Sequence, residues 1–92
     1  MTLQQEQEDR IRRYFMGVAT PDEVEKVETD LLRGDENVER LLLIEDELIA
    51  DYALDALSEH ERDLLEKDFL STPERREKLT IAREMVKIAS ML

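Results

Sequence analysis

The sequence has no cysteine, and its 92 residues include two glycines, two prolines and one histidine. Without cysteine the chain has no disulfide, no thiolate zinc site and no thiol nucleophile. The scarcity of glycine and proline argues against a loop-rich or all-β fold. No apolar run approaches the roughly 20 residues of a membrane span, and the polar N-terminus MTLQQEQEDR lacks the apolar segment of a signal peptide. These absences favour a small all-α cytoplasmic domain.

Positive charge is also scarce, since the net charge is −11. Residues 44–68 carry 10 acids and 2 bases, net −8, whereas residues 69–92 carry 3 acids and 5 bases, net +2. A polyanionic surface repels phosphate and anionic lipid headgroups, so neither direct nucleic-acid binding nor membrane binding is expected. A basic protein partner would be steered towards the middle of the chain. The alternative is that acidic helices only keep a small protein in solution.

Capping signals predict five helices. Thr20-Pro21 with Glu23 and Ser58 with Glu61 have capping-box spacing, and Thr72-Pro73 has a cap followed by a first-turn proline. Thr2 and Gln5 have the same spacing at the N-terminus. The predicted helices span about 4–16, 21–33, 36–54, 59–70 and 73 to near the end of the chain.

The segment from Val38 to Leu57 has the strongest apolar pattern. Its apolar residues recur at steps of three and four, which is helical spacing. Leu41 to Ile44 is apolar at four successive positions, and a helix that is apolar nearly all round is usually buried on both sides. We therefore predict a central helix that joins two packed halves.

Residues 11–43 resemble residues 49–81 when the chain is shifted by 38 positions, with nine identities in 33 positions. Ile11 aligns with Ile49 and Tyr14 with Tyr52, and the caps Thr20 and Ser58 also coincide. Self-similarity of this length suggests stacked helical units. We predict one interaction domain, residues 1–92, built from two tandem related units that share the central helix.

Side chains suited to catalysis or metal binding do not form a recognisable motif. Acid pairs four residues apart, such as Glu47 and Asp51, are typical of a solvated helix face, although burial can turn such pairs into acid–base catalysts. His60 stands alone, without the second histidine or cysteine that a zinc site needs. We therefore predict no catalytic, cofactor-binding or metal-binding residue, and an enzyme with a carboxylate site is a remote alternative.

The last helix has two apolar stripes. One contains Leu79, Ala82, Met85 or Val86, and Ala89, and the second contains Ile81, Met85, Ile88, Met91 and Leu92. Either both units bury this helix, or the second stripe docks on a partner or a second copy as a helix in a groove. Because the chain ends abruptly on Met91-Leu92, we expect the N-terminal module of a longer protein.

The segment from Glu45 to Met85 resembles the zinc-finger anti-sigma factor domain. Ser58-Glu59-His60-Glu61 matches the helix cap of that family, and Pro73-Glu74 matches the residues between its two cysteines. The metal ligands differ, since Asp68 stands at the histidine position, and Thr72 and Arg75 stand at the two cysteine positions. The resemblance therefore implies a variant without zinc, in which caps and packing replace the metal.

What the resemblance implies is a cytoplasmic helical module that sequesters an extracytoplasmic-function sigma factor. The acidic middle segment would complement the basic DNA-binding surfaces of such a partner. On this hypothesis the partner-binding residues are five acids that steer it and three apolar anchors: Glu45, Asp46, Glu47, Asp51, Asp55, Ile81, Met85 and Ile88. The alternative is a helical adaptor or homodimerisation domain of a larger signalling protein.

Overall fold

The computed structural model describes residues 3–92, and within them it contains five α-helices and no β-strand. They are α1 (Leu3–Met16), α2 (Pro21–Leu31), α3 (Asp35–Ala53), α4 (Glu59–Lys67) and α5 (Pro73–Ser90), with a short 3₁₀ turn at Phe69–Ser71. The prediction of an all-α fold with five helices is confirmed. The cap predicted at Thr2 lies outside the described residues.

The helix starts follow from the predicted caps. The Glu23 backbone N–H donates to Thr20 Oγ1 at 3.2 Å, and the Thr20 N–H donates to Glu23 Oε1 at 3.1 Å. Ser58 and Glu61 form the same pair of bonds at 3.2 and 3.0 Å. Each box satisfies two backbone groups that the first helical turn leaves without a helical partner.

The end of α4 differs from the prediction. The helix stops at Lys67, three residues before the predicted end at 70, because Asp68 leaves the helical region with φ −140°. The chain then makes the 3₁₀ turn, in which the Ser71 N–H donates to the Asp68 carbonyl at 3.0 Å. This tighter turn places both Phe69 and Leu70 among the buried residues.

The chain divides into two compact units, Met1–Asp46 and Glu47–Leu92. The buried apolar residues of the first unit are Ile11, Phe15, Met16, Val27 and Ile44, and those of the second are Leu48, Ile49, Tyr52, Leu57, Leu65, Phe69, Leu70 and Leu79. None of the described residues that are buried is charged. Each unit therefore has its own set of apolar residues removed from water, which is the main favourable contribution to its folding.

The elements of the two units recur at the 38-residue shift seen in the sequence. Helices α2 and α4 begin at residues 21 and 59, and helices α3 and α5 begin at residues 35 and 73. The positions thus match in secondary structure as well as in residue type. A common origin of the two units, and their action as one interaction domain, stay predictions.

Helix α3 crosses the boundary between the units as one continuous helix. Within the segment Leu41 to Ile44, Ile44 is fully buried, but Leu42 and Leu43 are 45% and 55% exposed. The prediction that this segment is buried on both sides is therefore wrong. Successive residues of a helix are about 100° apart, so four of them point in all directions around its axis. In this segment only the side with Ile44 is packed.

Candidate functional site

The exposed apolar side of α5 is the main candidate interaction surface. The helix begins at the Thr72 cap, whose hydroxyl accepts from the Arg75 N–H at 3.4 Å, with Pro73 in the first turn. Leu79 is buried and Val86 is half-buried, so this side of the helix faces its own unit. Met85 belongs to the exposed side, which settles the choice that the sequence left open between Met85 and Val86.

Ile81, Met85 and Ile88, here called the α5 stripe, are 53%, 65% and 59% exposed. Their spacing of four and three residues puts them on one side of the helix. All three side chains reach solvent, so this side of α5 is not buried. Met91 and Leu92 follow them and are also exposed.

Two of the basic residues of α5 contact aromatic rings of the second unit. The Arg75 guanidinium lies 4.3 Å from the centre of the Phe69 ring, and its Nη1 donates to the Phe69 carbonyl at 3.3 Å. The Arg83 guanidinium lies 5.6 Å from the centre of the Tyr52 ring. Such cation–π contacts help to hold α5 against the rest of the second unit.

Tyr52 is a structural residue of the second unit. Its hydroxyl donates to Glu66 Oε1 at 2.7 Å, and the Arg62 guanidinium also lies 5.0 Å from its ring centre. The hydrogen bond to Glu66, together with burial, raises the pKa of Tyr52 above its ordinary value of 10.0. The phenol is therefore held protonated as a donor and is not poised to act as a base.

The five acids predicted to steer a partner do not form one surface. Asp46 and Glu47 are exposed, whereas Glu45 and Asp51 are half-buried. At about 100° per residue, Glu47 and Asp51 lie on one side of α3, and Glu45 points in nearly the opposite direction from Glu47. The acids therefore act together through their summed field, not as one contact patch.

Asp55, the fifth predicted acid, has a clear structural role. It has φ +57°, and its carboxylate pairs with the Arg62 guanidinium. Its N–H donates to the Tyr52 carbonyl at 3.2 Å, and the Ala56 N–H donates to the Asp51 carbonyl at 2.9 Å. These bonds are those of a Schellman motif, in which a residue of left-handed conformation ends a helix.

The same motif ends α1. Gly17 has φ +75°, its N–H donates to the Tyr14 carbonyl at 3.2 Å, and the Val18 N–H donates to the Arg13 carbonyl at 3.0 Å. Gly17 and Asp55 are 38 positions apart, so the helix stops recur as the caps do. Glycine is the usual residue at such a position, and Asp is one of the few others that tolerate it.

The first unit contains a small cleft of about 20 Å³ between α1, α2 and the start of α3. Its walls include Ile11, Val27 and Leu31, and Arg10 and Asn37 lie at its polar side. A single buried water needs about 10–15 Å³ of such space. The cleft therefore has room for about one water.

The three positions that the resemblance aligns with zinc ligands make local contacts here. The Asp68 carbonyl accepts from Ser71, Thr72 caps α5, and Arg75 stacks on Phe69. Within residues 3–92, no three His, Cys, Asp or Glu side chains are grouped so that they could hold a metal ion.

Across the same residues, no helix combines the length and apolar character needed to cross a membrane.

Sequence reasoning missed the exposed apolar residue Leu43 on α3. The pattern suggested burial for Leu41 to Ile44 as a block, so none of them was assigned to a surface. The signal was present in the repeat, because Leu43 corresponds to Ile81 of the α5 stripe at the 38-residue shift.

Comparison of the chain with protein-family models, with curated proteins and with solved structures finds no match.

Proposed function

We propose that the chain is a non-enzymatic protein-interaction module of the anti-sigma type. It captures a basic protein partner in the cytoplasm and keeps that partner from its own target. The observation that carries the proposal is the α5 stripe, whose three large apolar side chains are each more than half exposed.

A row of exposed apolar residues on one helix side differs from scattered surface residues. Single exposed apolar side chains are common, but contiguous ones mark interaction surfaces. The spacing of Ile81, Met85 and Ile88 matches that of anchors by which a helix lies in the groove of a partner. The α5 stripe would therefore supply the apolar contacts of the complex.

The charge of the chain selects the partner. With a net charge of −11, and net −8 in residues 44–68, the field attracts a basic surface and repels acidic ones. Glu45, Asp46, Glu47, Asp51 and Asp55 all lie in this acidic segment. Asp55 contributes less than the sequence suggested, because Arg62 already neutralises its carboxylate.

The identity of the partner as an extracytoplasmic-function sigma factor rests on the resemblance of Glu45 to Met85 to the anti-sigma domain. Sigma factors have basic DNA-binding surfaces, so the charge argument supports the same partner independently. A module without metal ligands would bind such a partner without sensing zinc or redox state.

Co-purification from the native host tests this proposal. The wild-type chain should retain a sigma factor at low salt and release most of it at high salt, since screening weakens attraction between exposed charges. The combined reversal Glu45→Lys, Asp46→Lys and Glu47→Lys should abolish retention, as should Ile81→Ser with Ile88→Ser. Leu42→Ser changes an exposed apolar residue of α3, outside the α5 stripe. It is the matched control and should retain the partner.

The alternative function is homodimerisation through the α5 stripe, which an exposed apolar surface also permits. Light scattering of the pure chain separates the two functions. A monomer at all concentrations, with a sigma factor recovered by the wild type, supports the proposal. A concentration-dependent dimer, with no sigma factor recovered, contradicts it.

A further inference from the structure

We propose that the chain carries two equivalent docking faces, one on α3 in the first unit and one on α5 in the second, each of which binds an amphipathic helix with basic flanks. The inference rests on the proposed function, because Ile81 belongs to the second face, and it adds a second site and a partner geometry. It predicts that the module is bivalent.

The α3 face consists of one apolar residue and three acids at steps of three and four residues. Its members are Glu36, Glu39, Leu43 and Asp46, and all four are exposed. Since 36, 39, 43 and 46 are separated by three, four and three positions, they lie on one side of the helix. All four belong to the first unit.

The α5 face has the same composition at positions shifted by 38. Its members are Glu74, Glu77, Ile81 and Glu84, and all four are exposed. Both helices therefore show solvent the same arrangement, in which three carboxylates surround one branched apolar side chain. The match extends to Asp46 and Glu84, beyond the segment in which the sequence repeat was recognised.

The carboxylates determine what can cover these faces. Where two of these faces from two copies of the chain met, their acids would oppose each other, and like charges across an interface are strongly unfavourable. A helix with one apolar row between Lys or Arg residues complements both the apolar centre and the acidic surround. Arg76, Arg83 and Lys87 lie on a different side of α5, whereas the half-buried Lys78 lies beside the α5 face, as the half-buried Arg40 lies beside the α3 face.

The two faces differ in length. The α5 face continues into Met85 and Ile88, which extend its apolar row. The α3 face has Leu43 as its one large apolar residue. We therefore expect the α5 site to bind more tightly and the α3 site to depend more steeply on salt, since it relies more on charge.

The test is a calorimetric titration of the full chain with a synthetic helical peptide. The peptide has the length of α5, 18 residues, with Leu at its a and d positions and Lys at its e and g positions. A control peptide has Glu in place of Lys and should not bind. The wild-type chain should bind two basic peptides.

Single substitutions then assign the sites. Leu43→Ser should weaken the α3 site by about tenfold or more and leave the α5 site unchanged, and Ile81→Ser should do the reverse. Leu42→Ser, about 100° from Leu43 around α3, is the matched control and should keep both sites. All three positions are exposed, and circular dichroism checks that each variant keeps its helices.

One bound peptide, lost on Ile81→Ser and unaffected by Leu43→Ser, would overturn the second face and leave the proposed function standing. No binding by the wild type would overturn both. Two sites removed one at a time by the two substitutions would establish the bivalent module.

Discussion

Phe69 and Leu31 occupy corresponding positions in the two units, and exchanging them gives a quantitative test of packing. Phe69 is 2% exposed, with the Arg75 guanidinium 4.3 Å from its ring centre. Leu31 is half-buried and lines the cleft of about 20 Å³ in the first unit. The Phe69 ring is therefore fully packed, whereas the Leu31 side chain borders a cleft.

The expected magnitudes have opposite signs. Phe69→Leu should lower the free energy of unfolding by about 1–2 kcal/mol, from imperfect repacking and loss of the cation–π contact. Leu31→Phe should raise it by about 0.5–1 kcal/mol, at the low end of cavity-filling substitutions because the site is half-buried. For a chain of this size, 1 kcal/mol corresponds to a shift in melting temperature of about 4–8 °C.

Urea denaturation measures the free energy of unfolding, and native-state amide exchange shows which unit changes. Phe69→Leu should weaken protection in α4 and α5, and Leu31→Phe should strengthen it in α1 and α2. Leu42→Ala, at an exposed position, is the control and should stay within about 0.5 kcal/mol of the wild type. A loss of 1 kcal/mol or more for Leu31→Phe would show that the cleft cannot accept a ring and would refute the reasoning.

Three further predictions concern local interactions. The hydrogen bond from Arg13, with the Thr20 cap, lowers the pKa of Glu23 from 4.5 to about 2, so the ionised Glu23 stabilises the fold above about pH 4.5 and this stabilisation is lost as the pH falls to about 2. In urea denaturation across this range, the loss in free energy of unfolding caused by Glu23→Gln should shrink towards zero. An unchanged loss at about pH 2 would contradict this prediction. Asp55→Val should lower the free energy of unfolding by about 1–2 kcal/mol, because a β-branched residue does not tolerate φ +57°. Asp55→Gly should be nearly neutral. Equal losses for the two variants would contradict a left-handed conformation at this position. Ser58→Ala should lower the free energy of unfolding by about 1 kcal/mol, because it removes the side-chain cap of α4. Thermal melts would detect this loss, and an unchanged melting temperature would argue against the capping box.

Local chemistry explains why most helix bounds could be predicted. Thr20, Ser58 and Thr72 cap helices through contacts within three residues, so their sequence spacing already contains the geometry. Gly17 ends α1 through an equally local contact, since its N–H donates to the Tyr14 carbonyl. Asp55 as a left-handed residue was less evident, because Asp adopts this conformation far less often than glycine does.

Tertiary packing explains what could not be predicted. The sequence does not reveal that Ile44 is packed while Leu42 and Leu43 reach solvent, because all three are equally apolar and differ only in helix angle. For the same reason the sequence does not decide whether Met85 or Val86 lies on the inner side of α5. The five predicted acids likewise share a charge but not a direction, which is visible only once α3 has a packed side.

The most direct test of the account is an amide chemical-shift map of the isotope-labelled chain on addition of the basic helical peptide. We expect changes centred on Ile81, Met85 and Ile88 of α5 and on Leu43 of α3, both diminishing as salt is raised. The Glu-substituted peptide should cause none. Changes centred instead on the cleft around Arg10 and Asn37, or no change at any peptide concentration, would contradict the claim that these exposed helix sides recruit a basic partner.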